Sequence, residues 1–102
     1  MAKSILQSNR CCYICKCWYN VYTSRELEEH HIFPGTSRRA LAEELGLKVL
    51  LCVRHHRLVH SAQGAWALRQ LKADAQAKYD GLHGVGALAV IMDKNYGGYD
   101  EI

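Results

Sequence analysis

The 102-residue sequence has little that would place it in a membrane or outside the cell. No apolar run approaches the roughly 18 residues of a spanning helix, so no membrane contact is expected. The first ten residues, Met1 to Arg10, lack the apolar core of a signal peptide and read as a polar, weakly ordered lead-in. The expected compartment is the cytoplasm, with thiols reduced. There is no internal repeat and no low-complexity tract, and the length fits one small domain over residues 1–102. Charge of one sign is not in large excess. Thirteen Lys and Arg against ten Asp and Glu leave a net +3, so bulk charge says little about a nucleic-acid partner. An even, widely spaced set of cysteines is also missing. There are five, four of them between Cys11 and Cys17, which does not suit a secreted disulfide scaffold. In a reducing compartment, Cys-x-x-Cys spacing points to metal before disulfide. A domain this small has a limited apolar core and is a candidate for a metal staple.

What the sequence does have is concentrated. Cys52 to His60 packs one cysteine and three histidines into nine residues. Upstream, Cys12 to Cys15 reads as a metal-binding turn, and Trp18 to Thr23, aromatic and β-branched, as an extended segment. The second half of Arg25 to Phe33 reads as a strand, with His31 on one face and His30 and Ile32 on the other. Pro34-Gly35 breaks it. A short helix is expected from about Arg38 to Leu45, capped by Thr36 or Ser37 and ended by Gly46, with Leu41, Ala42 and Leu45 on its apolar face. Leu47 to Leu51 predicts a second strand. From Val53 the chain turns helical, and Gly64 interrupts that helix. A longer helix runs from about Ala65 to Tyr79, burying Trp66, Leu68, Leu71, Ala75 and Tyr79. A Gly-rich tail covers 81–102, in which Ala87 to Met92 is either a strand or a docked short helix.

Two metal sites follow from the ligand spacing. Structural zinc takes four N/S ligands in a tetrahedron. Cys12 and Cys15 supply one pair at x2 spacing, Cys52 and His55 the other. Cys17 competes with Cys15 only through the less usual Cys-x-Cys bite, so Cys11 and Cys17 are left as free thiols, and the roles of His55 and His56 are interchangeable on spacing alone. His56 and His60 lie at i and i+4 and share a helix face. A third imidazole from His30 or His31 would complete a site with open positions for water and a phosphate oxygen. The histidine left over is suited to accept a proton.

His30-His31-Ile32 on a strand, followed by Leu50-Leu51-Cys52-x-x-His55-His56-x-x-x-His60, resembles the HNH endonuclease family over about half the chain, Cys12 to His60. The segment His30 to Arg39 is similar to small phage and prophage HNH proteins. The resemblance implies an α+β fold of the ββα-metal type, built on a treble-clef zinc site over a core motif at 12–61, here with an additional C-terminal helix. It implies His31 as general base, His30 as first ligand of a catalytic divalent metal, His56 at the motif's central Asn position, and His60 as its final histidine. With histidine at the centre, the chain looks closer to the colicin-type nucleases, and Mg²⁺, Mn²⁺, Ni²⁺ and Zn²⁺ all remain open as the catalytic ion. The implied activity is hydrolysis of DNA phosphodiesters, with Arg38, Arg39 and Arg57 as candidate phosphate contacts and a phage or host recombination or packaging protein as a source of specificity. The alternative is a non-catalytic, zinc-stabilised DNA-binding or recombination accessory module.

Overall fold

Among the described residues two strands form, and they carry His30, His31 and Cys52. The computed structural model describes residues 3–33 and 36–92. Strand β1 (Leu27–His31) pairs antiparallel with β2 (Lys48–Cys52), in a register that sets Leu27 opposite Cys52 and His31 opposite Lys48. Helix α1 (Tyr13–Tyr19) precedes β1, and α2 (Thr36–Leu45) connects the strands. Helix α3 (Val53–Val59) starts at the residue after β2, so its direction is set by the sheet. A 3₁₀ turn (Ala62–Gly64), α4 (Ala65–His83) and α5 (Ala87–Met92) follow. The architecture is α+β, as expected. Among the described residues no helix is long and apolar enough to cross a membrane.

Period 2 along β1 and β2 decides what enters the core. Ile32, just past β1, and Val49 and Leu51 on β2 are buried beside Ile14, Phe33, Leu47 and Leu71. His30 shares that buried side, while His31 is only half-buried. On α2, Ala42 is fully buried and Leu41 and Leu45 pack beside it, as the apolar face predicts. Gly46 ends α2 at φ +77°, a conformation that L side chains rarely adopt. A Cβ there would also meet the Lys3 carbonyl oxygen at 2.3 Å.

Four sequence expectations need correction. Trp18 and Tyr19 belong to α1 and are not extended. Cys12 caps that helix, its sulfur accepting from the Cys15 N–H, and Asn20 stops it in the left-handed conformation. The two caps outweigh the weak strand preference of aromatic residues. Within the lead-in, Ser4, Ile5 and Gln7 are tied down. Ser4 Oγ donates to the Lys48 carbonyl, the Leu50 N–H donates to Gln7 Oε1, and Ile5 N donates to Gly46 O at 2.9 Å. These bonds satisfy the outer edge of β2.

Trp66 is 45% exposed. The buried stripe of α4 runs one residue on, through Ala67, Leu71, Ala75 and Tyr79. That helix also continues four residues past Tyr79, so the tail does not begin at Gly81. Ala87 to Met92 is helical, with the Asp80 carboxylate accepting from the N–H groups of Gly86 and Leu88. The remaining tail, with Gly97 and Gly98, lies outside the described residues.

Gly64 is buried, and a Cβ on it would lie 1.8 Å from the Leu58 carbonyl oxygen, a backbone atom that cannot move aside. Gly64→Ala is therefore expected to destabilise by about 3 kcal/mol, a fall in Tm of roughly 10–20 °C. Gly81→Ala, whose Cβ meets nothing within 4 Å inside α4, should raise Tm slightly. Thermal denaturation of the two variants checks both signs.

Candidate metal centres

The Cys12 cap, the Cys15 turn and the Cys52–His55 corner meet in one cluster. His55 Nδ1 lies 3.4 Å from the sulfurs of Cys12 and Cys15 and 3.5 Å from that of Cys52. The Cys15 and Cys52 sulfurs are 4.0 Å apart. A tetrahedral zinc with bonds of about 2.3 Å to sulfur and 2.0 Å to nitrogen requires edges of about 3.5–3.8 Å. The four residues thus hold the outline of a zinc ion and can bind one. Burial pushes the Cys12 thiol up to about 12, so a metal entering here must displace its proton. Burial also opposes ionisation of Cys52, but hydrogen bonds from the His55 N–H, the Cys12 and Cys15 thiols and the Arg54 N–H outweigh it and lower its pKa. Burial and then the nearby Arg54 charge lower His55, which favours the neutral imidazole a metal needs. Cys11 is buried and Cys17 exposed, and neither joins the four.

The second cluster is His30, His56 and His60, each offering one ligand atom within 4.8 Å of the others. Their ring centroids are 5.0–5.3 Å apart. His60 is the residue just after α3, but its φ of −96° keeps it in the right-handed region, one turn from His56. His30 is buried, His56 half-buried and His60 exposed, so the cluster is dry at one end and open at the other. The Nε2 of His30 is buried and has no hydrogen-bond partner among the described residues. An orphaned polar atom of this kind costs stability unless something fills its lone pair. Burial, followed by the charges of His56, His60 and His31, pushes His30 down to about 3, so it stays neutral. Three imidazole nitrogens within 4.8 Å of one another, with His30 held neutral, fit a divalent transition ion.

One participant was not read from the sequence. Glu28 Oε1 lies 2.7 Å from His56 Nδ1. A carboxylate on the far nitrogen orients a ligand imidazole and raises its basicity. The signal was available: Glu28 is two residues before His30 and so shares its strand face. The spacing ambiguity between His55 and His56 is also settled, because His55 faces the sulfurs and His56 faces His30.

His31 lies elsewhere. As β1 alternation requires, it leaves the strand on the side opposite His30, where its Nε2 is 2.7 Å from Glu43 Oε1. The other oxygen of Glu43 accepts from the buried Lys48 ammonium at 2.8 Å, and Lys48 also reaches Glu29 at 3.4 Å. The Lys48 and His31 hydrogen bonds hold Glu43 below the usual carboxylate range. Among the predicted phosphate contacts, Arg38 donates to the Met92 carbonyl at 3.2 Å, joining α2 to α5. Arg39 is exposed on α2, and Arg57 is exposed on α3.

Two tests follow from this geometry. Glu28→Gln should weaken a second divalent ion by about 10–100-fold while the tight zinc stays bound, as metal titration would read. The second test concerns acid. His30 titrates near 6.5 when unfolded and about 3 when folded. A depressed folded value adds stability above pH 6.5 that is lost as pH falls toward 3. Without added second metal, the stability of His30→Gln should fall less steeply across that window than wild type, measured by denaturant unfolding at several pH values.

Comparison of the chain with protein-family models, with curated proteins and with solved structures returned no match.

Proposed function

We propose that the chain is a metal-dependent endonuclease of the HNH type, hydrolysing DNA phosphodiester bonds on a ββα-metal domain fastened by a treble-clef zinc. The observation that carries this reading is the buried, partnerless Nε2 of His30 among the imidazoles of His56 and His60. Those three residues would hold the catalytic ion, with Glu28 fixing His56. An all-imidazole set suits Ni²⁺ or Zn²⁺ better than Mg²⁺, which prefers oxygen. The ion would supply Lewis-acid stabilisation of the negative charge that builds on the phosphate.

The chain's own residues do the rest. Glu43 accepts from the Nε2–H of His31, which leaves Nδ1 as the basic nitrogen of the neutral ring. That nitrogen takes the proton of the attacking water, and the Glu43 carboxylate stabilises the imidazolium that results. His31 is the last residue of β1, and β1 is paired with a strand on one edge only among the described residues. A scissile phosphate seated at that strand end would lie between the two faces, with His30 on one side and His31 on the other. Arg39 would hold a flanking phosphate, Arg38 would do so from its place beside Met92, and Arg57 would contact the strand farther from the cut. Sequence specificity would come from a phage or host recombination or packaging partner.

A second reading, a non-catalytic zinc-stabilised DNA-binding or recombination accessory module, draws on one observation. His31 is locked to Glu43 on the strand face away from the three histidines.

Plasmid nicking with Mg²⁺, Mn²⁺, Ni²⁺ and Zn²⁺ in turn separates the two. The endonuclease reading expects nicking by wild type, a loss of about 10²–10⁴-fold in His31→Ala, and an unchanged circular-dichroism spectrum for that variant. Wild-type rates in His31→Ala would contradict the role of His31. The module reading expects no nicking with any of the four ions.

A further inference from the structure

Helix α3 has a second functional-looking side. Turned away from His56 and His60, its residues Arg54, Arg57 and Leu58 line an open groove of about 590 Å³, closed on the other side by Tyr19 and Val21. Two features make this groove unlike ordinary solvated surface. The first is its charge. The lining holds two arginines and no acid, and neither arginine forms an ion pair among the described residues. The second is its aromatic wall. Tyr19 is 56% exposed, yet its ring lies flat on the zinc-site imidazole of His55, with centroids 5.9 Å apart and planes 3° apart. The Val21 N–H is bonded to the Cys15 carbonyl at 2.8 Å, so the wall is fixed to the metal cluster on both sides of the Asn20 turn.

The geometry points to a binding site for single-stranded nucleic acid, in which Arg54 and Arg57 take successive backbone phosphates and an unpaired base lies on Tyr19 against Val21. The arginines account for the phosphates, since guanidinium forks match phosphate oxygens. They would serve a duplex equally well. The rigid, exposed ring decides for a single strand, because base faces in a duplex are already covered by their neighbours, and only an unpaired base has a face to offer. Tyr19 lines the same groove as both arginines, so a base on its ring and phosphates on the guanidiniums can belong to one strand. This inference rests on the nucleic-acid reading above for its ligand class, but binding in the groove is separable from cleavage.

The test is fluorescence anisotropy with fluorescein-labelled dT12 and the full zinc-loaded chain, without added second metal. Wild type should bind dT12 more tightly than a 12-base-pair duplex. Arg54→Gln and Arg57→Gln should each weaken binding and reduce the salt slope of log K by about 0.7. Tyr19→Ala should cost about tenfold, and Tyr19→Phe should restore most of it. Lys78→Gln, the same charge change at an exposed position of α4, is the control. Should Tyr19→Ala lose zinc, the arginine variants decide. Equal dT12 affinity of the Arg54→Gln/Arg57→Gln double variant and Lys78→Gln would overturn the proposal. So would a preference for duplex, or displacement of dT12 by equimolar dTMP, which would mark a mononucleotide site. A chain that nicks plasmid but fails here leaves the endonuclease reading standing. One that binds dT12 through this groove and never nicks does the reverse.

Discussion

The fold depends on one cross-link, the meeting of Cys12 and Cys15 with Cys52 and His55. It joins the start of α1 to the corner where β2 becomes α3. A 102-residue chain can bury only a modest core, and a metal held by these four residues would close the chain between Cys12 and His55 and add stability the core does not supply. The cluster also sets direction. Because Cys52 is the N-cap of α3, the sulfurs that face His55 fix the rotation of the helix. His56, His60, Arg54 and Arg57 take their places from that one constraint.

Adjacent residues can then serve different tasks. Successive positions on a helix are about 100° apart, so His55 turns to the sulfurs while His56 turns to His30 and Glu28. The strand makes a similar division with a period of 2. Glu28 and His30 face the three-histidine cluster, and Glu29 and His31 face Glu43 and Lys48. Two short elements thereby help to build a Cys3His cluster able to hold a metal, an open cluster of three imidazoles and a carboxylate-bound histidine within one small domain.

Much of this was legible because metal ligands obey short spacing rules. The x2 pairs, the i,i+4 histidines and the strand alternation at His30 and His31 all read directly from local geometry. The features that did not read depend on partners distant in sequence. Glu43 reaches His31 only because α2 folds back over the sheet, and nothing in the local pattern marks it. Gln7 and Ser4 look like a polar lead-in until the outer edge of β2 gives their side chains partners. Trp66 looked apolar enough for the core, but the buried stripe of α4 runs through Ala67, and the indole packs on Trp18 instead. At α1, cap chemistry overruled an aromatic-rich stretch that reads as extended.

The division of the neighbours His55 and His56 between two ligand clusters implies two separate metal sites. Metal content per chain by elemental analysis, combined with calorimetric titration of Zn²⁺ or Ni²⁺ into wild type and His56→Ala, tests it most directly. One tightly held zinc is expected in both proteins, with a second, weaker site in wild type alone. Loss of the tight zinc in His56→Ala, or a second site that survives the substitution, would contradict it.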